Sequence, residues 1–246
     1  MSILDDIVKK KQTKLPKYIF TEVQDKPKPF LHKINKVHNK VIQVIAEIKR
    51  GSPSLGLKWS NLDIVQQANY YQENGANAIS VLTEEEYFYG SVDDLKTIKK
   101  SVNLPILRKD FIFTEEQVYE SRVVGADAIL LICSILNLEE LQKLFLLAKK
   151  LELSVIVEAH NEIEVEMALS AGVDIIGINN RNLKTFKTSL DNSFRLVNKI
   201  PDNIIKVSES GIANAVDVES LKDAGFDAIL VGESFLRNPE FLNKLG

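Results

Sequence analysis

Glu47, Lys49 and Arg50 crowd the end of an apolar run in "VIAEIKRGSPSLG" (Val44–Gly56), just ahead of a Ser-Pro-Ser turn. A carboxylate beside two cations at that point has two readings. Either the charges are wet at the surfaced end of a strand, or they form the mouth of an acid-base site for an anionic substrate. The same kind of ending recurs: Arg108 and Lys109 close "LPILRKD", Glu158 closes "LSVIVEA", Asn179 and Arg181 follow "AGVDIIGIN", and Glu209 and Ser210 close "IIKVSES". Thr83, Ser134 and Gly232 stand at three further ends. Any one such charge is as consistent with a structural ion pair as with a catalyst. Three carboxylates and three or four cations converging on one face are harder to dismiss, and they need a fold that brings strand ends together.

The chain repeats itself in a way that supplies that fold. "NGANAISVL", "VGADAILLI", "AGVDIIGIN" and "AGFDAILVG" recur about every 50 residues, each reading as a glycine-ended helix, a short turn and a β-rich apolar run. A second series, "VIQVIAEI", "LPILRKD", "LSVIVEA" and "IIKVSES", interleaves with the first, and amphipathic stretches such as "NLEELQKLFLLAKKL" lie between. Each period therefore holds two strand-helix units, which makes a solenoid of single repeats a poor fit. The fold class is α/β, and eight apolar strands alternating with helices are most economically a closed (β/α)8 TIM barrel. An open doubly wound sheet is the alternative. A length of 246 residues suits one such barrel.

Residues 1–40 precede the barrel, which occupies 41–246. "SILDDIVKKKQTKL" has a helical pattern with apolar residues at Ile3, Leu4, Ile7 and Val8, and "DKPKPFLHKI" marks a Pro-interrupted loop and a short helix. The apolar face favours a helical extension clamped over one end of the barrel rather than a solvated arm.

In a barrel of this kind the active site gathers where strands end, so the polar residues named above share one rim. Gly211 and Gly232, after the seventh and eighth strands, permit close backbone approach. Each precedes a helix start whose N–H groups can hold a phosphate, and Ser52 adds a hydroxyl. Ordinary tight turns are the alternative for each glycine taken alone.

Composition narrows the function classes. A net charge of −3 and a pI near 5.8 argue against a dedicated binder of nucleic acid or of a membrane surface. No apolar run approaches the roughly 20 residues of a membrane-spanning helix. The amino terminus lacks the apolar segment of a secretory signal, so a cytoplasmic protein is expected. Cys133 is the single cysteine, and His32, His38 and His160 make no recognisable ligand set. No metal or cofactor is expected.

With the rim laid out, "AEIKRGSPS", "SVLTEEEYFYGS", "LPILRKDFI", "VEAHNE", "INNRNLKTF", "VSESGI" and "LVGESFLR" resemble the indole-3-glycerol phosphate synthase family, in its order and across nearly the whole chain. Phosphoribosylanthranilate isomerase and catalytically silent sugar-phosphate barrels share only part of this set. The resemblance implies ring closure, decarboxylation and dehydration of 1-(2-carboxyphenylamino)-1-deoxyribulose 5-phosphate, so the expected partner is a small phosphorylated substrate, with no nucleic acid and no membrane. By the same resemblance Lys109 is the general acid for ring closure and Glu158 the base for dehydration. Lys49 meets the substrate carboxylate and assists dehydration, and Glu47 orients both lysines. Asn179 and Ser210 belong to the catalytic set, and Arg181 and Glu209 bind substrate. Ser52, Gly211, Gly232 and the Glu233 backbone N–H form the phosphate cradle, while Phe88, Phe111 and Leu131, with Tyr87, wall the aromatic ring. Gly51 departs from the family pattern, where a bulkier residue is usual, and a looser first loop is expected. Because the chain stops at Gly246, directly after the eighth unit, the monofunctional form is expected.

Overall fold

Strands covered on both faces carry apolar residues at nearly every position, and this is how the eight barrel strands are built. The computed structural model describes residues 3–13, 25–32, 41–182, 185–243 and 245. The strands are β1 (Gln43–Ile48), β2 (Ala78–Leu82), β3 (Ile106–Lys109), β4 (Ala128–Ile132), β5 (Ser154–Ala159), β6 (Ile175–Asn179), β7 (Ile205–Glu209) and β8 (Ala228–Val231). They pair in parallel in chain order, and β1 pairs with both β2 and β8, so the sheet closes. The expected barrel is therefore the observed one. Ahead of the barrel lies α1 (Ile3–Gln12), and behind the strands follow α2 (Ile64–Glu73), α3 (Val92–Ser101), α4 (Glu115–Val123), α5 (Leu138–Lys150), α6 (Glu162–Ser170), α7 (Asp191–Leu196), α8 (Ala215–Ala224), α9 (Glu233–Arg237) and α10 (Glu240–Asn243). Among the described residues no helix is long and apolar enough to cross a membrane.

The helices start where side chains can accept from otherwise unpaired N–H groups: Asp63, Ser91, Thr114, Asn137, Asn161 and Asn214 cap α2, α3, α4, α5, α6 and α8. The repeated glycines behave as expected, with Gly75, Gly125, Gly172 and Gly225 all at positive φ just where the helices end.

Two apolar layers follow from the two-residue period of a strand. Ile45, Leu107, Leu130, Ile156, Val207 and Leu230 fill the barrel interior. Val44, Ala46, Ile106, Ile129, Leu131, Val157 and Ile229 face outward into the core shared with the helices. The inner series continues upward into Glu47, Lys109, Glu158, Asn179 and Glu209, so the phase that fills the barrel also aims these groups into its mouth.

The segment before the barrel reaches both of its ends. On α1, Ile3, Leu4 and Ile7 line the cavity at the C-terminal mouth. At the opposite end Phe30 is buried in the interior cluster, the Lys28 N–H donates to Asp127 Oδ1 at 2.6 Å, and Gln43 Nε2 donates to the His32 carbonyl at 2.7 Å. Residues 25–32 form no helix, and the remainder of the expected short helix lies outside the described residues.

Candidate active site

The barrel mouth holds a cavity of about 350 Å³. Its polar centre is one ammonium shared by two carboxylates: Lys109 Nζ lies 3.0 Å from Glu158 Oε2 and 2.5 Å from Glu209 Oε2. A second pair, Lys49 Nζ to Glu47 Oε1 at 2.6 Å, lines the same cavity. β3, β5 and β7 thus supply the first trio, and β1 with the residue that follows it the second pair.

Burial and charge pull these groups apart. Burial alone disfavours the Lys109 ammonium, but Glu158, Glu209 and Glu47 outweigh it and hold its pKa above the ordinary lysine value. Burial likewise disfavours the Glu158 carboxylate, yet Lys109, His160 and a hydrogen bond from Asn179 bring it below the usual range. Glu209 goes the other way. Burial dominates there, Lys109 only partly offsets it, and repulsion from Glu158 and Glu47 adds to it, so its pKa is pushed up to about 7. The geometry agrees, because Glu209 Oε1 is buried without a hydrogen-bond partner while Oε2 is spent on Lys109.

Two glycines make room for these carboxylates. A Cβ on Gly177 would stand 2.2 Å from Glu209 Oε1, and one on Gly232 would stand 2.4 Å from Glu47 Oε1. On the apolar side, Phe88 and Phe111 both line the cavity with ring centroids 6.1 Å apart. Ser52, Gly211, Gly232 and Glu233 also line the cavity. Ser210 and Gly211 both sit at positive φ, 67° and 81°, a backbone turn that only the glycine adopts without strain.

A family model described as indole-3-glycerol phosphate synthase matches residues 4–245. The chain belongs to the indole-3-glycerol phosphate synthase family. The synthase of Acetivibrio thermocellus is 44% identical over 253 aligned positions, covering 99% of this chain and 97% of that one. That of Dehalococcoides mccartyi is 47% identical, covering 91% and 87%. That of Polaromonas naphthalenivorans is 49% identical, covering 80% and 75%.

Of the site residues that the resemblance implies, all but Leu131 and Tyr87 line the cavity. Leu131 is fully buried in the outer core, and its neighbours Leu130 and Ile132 face the cavity instead. The strand alternation decides this, and a strand apolar on both faces does not announce its phase. The same alternation turns Arg108 outward, where it donates to Ser121 Oγ at 3.1 Å and pairs with Glu120 at 2.7 Å. Tyr87 does not wall the cavity either, because its hydroxyl binds Asp6 and accepts from Lys10 Nζ at 2.9 Å on α1. Ser134 is exposed and lies away from the cavity. Glu47 binds Lys49 directly but reaches Lys109 only through its field.

Gly51 tightens the first loop rather than loosening it. The loop is a short hairpin, Gly51–Ser52 against Gly56–Leu57, and a Cβ on Gly51 would lie 2.3 Å from the Gly56 carbonyl and 2.6 Å from the Tyr89 ring. Sequence reasoning missed the Lys109–Glu209 contact and the cavity-lining Phe186, Thr188 and Arg237. Only Arg237 carried a signal, standing one helical turn after Glu233, with which it pairs at 2.6 Å.

Proposed function

We propose that the cavity performs the synthase reaction with Lys109 as acid and Glu158 as base. The single observation carrying this reading is the Lys109 ammonium held between Glu158 and Glu209 on the cavity wall, which keeps a proton donor charged beside an ionised acceptor. As the substrate's aromatic carbon bonds to the ketone carbon, Lys109 delivers a proton to the ketone oxygen. Loss of the carboxylate as carbon dioxide leaves its bonding electrons in the new ring. The hydroxyl then departs as water with a proton from Lys49, and Glu158 removes the proton that lets the indole become aromatic.

The other residues fit supporting roles. Glu47 fixes Lys49 near the substrate carboxylate, Asn179 donates to Glu158, and Arg181, Ser210 and Glu209 orient the sugar chain. Ser52, Gly211, Gly232 and the Glu233 N–H receive the phosphate. Phe88 and Phe111 flank the anthranilate ring, and residues 1–40 act as an extension whose α1 closes the apolar side.

The test is to add the carboxyphenylamino substrate and follow indole fluorescence together with carbon dioxide release. Equal amounts of both products are expected. An isomerised product without carbon dioxide would overturn the assignment.

A further inference from the structure

The Glu158 carboxylate is approached at both oxygens. Lys109 takes Oε2, and His160 Nε2 lies 3.3 Å from Oε1. The other ring nitrogen, Nδ1, is 3.1 Å from Glu164 Oε2, and the same oxygen accepts the His160 backbone N–H at 2.8 Å. Glu164 is fixed in turn, its Oε1 accepting from Asn161 Nδ2 at 2.7 Å. A helix cap alone does not explain this arrangement. Asn161 already caps α6 through the Glu164 N–H at 3.0 Å, and the imidazole contributes nothing to that bond.

The ring nitrogen facing Glu158 is buried and makes no aligned hydrogen bond as the site stands. Contacts of this kind between catalytic groups tighten when the substrate complex forms. We propose that His160, braced by Glu164, is a positioning residue that holds Glu158 turned toward the substrate and keeps it in its ionised, proton-accepting form. The proposal rests on the reading of Glu158 as the base.

The charges around the imidazole support it. Burial disfavours the imidazolium, but Glu164 on α6, Glu158 on β5 and Glu209 on β7 favour it and prevail, so the His160 pKa is raised. The Lys109 ammonium on β3, which approaches the other oxygen of the same carboxylate, is a like charge and opposes them. The Cys133 thiol after β4, pushed up to about 12 chiefly by burial, adds no charge near neutrality. An imidazolium at this place stabilises the Glu158 carboxylate, so removing it raises the pH at which Glu158 gains a proton.

The experiment measures kcat and KM against pH for the full chain and for His160→Gln, His160→Ala and Glu164→Gln. Both His160 variants should move the Glu158 limb of kcat, the acidic limb that persists in a Glu209→Gln background, upward by about one pH unit, the scale of one lost opposite charge. Their KM should stay within about twofold, since the interaction acts on the chemical step. Glu164→Gln should move the limb the same way by less, and added imidazole should restore part of kcat in His160→Ala. An unmoved acidic limb in all folded variants, or a change in KM alone, would overturn the proposal. Should His160→Ala fail to fold by circular dichroism, His160→Gln and Glu164→Gln decide it by the same criterion. Glu158→Gln run in parallel separates the two readings: normal dehydration there removes the base assignment itself, whereas loss there with unmoved His160 profiles sinks this proposal alone.

Discussion

Gly232 sits directly beside Glu47, because β8 and β1 are neighbours in register at Val231 and Ala46, one residue earlier on each strand. A Cβ at Gly232 would meet Oε1 and Cβ of Glu47 at 2.4 and 3.1 Å, so the glycine proposed to open the phosphate edge also seats the carboxylate that holds Lys49. A substitution there disturbs both at once. Gly232→Val should therefore raise KM steeply and lower kcat as well, while Ser52→Ala should cost about one hydrogen bond, roughly 0.5–1.5 kcal/mol, in KM alone. Steady-state kinetics of the two variants check the split, and a Gly232→Val enzyme with unchanged kcat would detach Glu47 from this account.

Glu209 is expected to trade stability for function. Its folded pKa, about 7, lies above the ordinary 4.5, so it contributes most below the unfolded value and that contribution is lost as pH rises through 7. Glu209→Gln removes the penalty and leaves Lys109 and Glu158 as a matched pair. The variant should be more stable than the parent by about 1–3 kcal/mol at pH 8, with the gain fading toward pH 5, and should lose activity. Thermal denaturation at the two pH values is the measurement, and a variant less stable at pH 8 contradicts the assignment.

The barrel was legible because eight apolar runs and four repeated glycine turns leave few alternatives, and the rim was legible because strand ends are where charge interrupts those runs. Facing was harder to read. Leu131 and Arg108 lie on strands apolar at successive positions, so nothing local distinguishes the inner phase from the outer one. The Lys109–Glu209 contact joins strands 100 residues apart, and Gly177 reads as any glycine in a strand until Glu209 is placed against it. Tyr87 looked like a cavity wall because its α1 partners, Asp6 and Lys10, are distant in sequence.

The amino-terminal segment should divide into a functional and a structural part. Deleting the residues before Pro29 removes Ile3, Leu4 and Ile7 from the cavity and Lys11 from Asp110, a 2.6 Å ion pair, but leaves Phe30 in the barrel. Asp127 keeps the Ile106 N–H at 2.8 Å after losing Lys28. Weaker substrate binding and lower turnover are expected with the barrel still folded. Phe30→Ala should instead cost about 3–5 kcal/mol of stability, as large core truncations do. Denaturant unfolding and kinetics on both proteins test this, and unchanged kinetics in the deletion would restore a solvated arm.

Proton traffic between Lys109 and Glu158 gives the most direct test of the chemistry. Lys109→Ala should lose roughly 10²–10⁴ in rate, the usual range for a general acid, with substrate binding much less affected. Glu158→Gln keeps the shape but cannot accept a proton, so dehydration should slow and a ring-closed, decarboxylated intermediate should accumulate. The pH profile follows from the directions of the two shifts. Glu158, held below the ordinary carboxylate range, loses its basic form only at acidic pH, and Lys109, held above the ordinary lysine range, loses its proton only at strongly alkaline pH. Chemistry should therefore be flat in its dependence on these two groups across neutrality, and a step near pH 7 should report Glu209 and vanish in Glu209→Gln. Single-turnover mass spectrometry of the variants decides the roles: wild-type ring closure by Lys109→Ala, or normal dehydration by Glu158→Gln, would show the acid and base to be wrongly assigned.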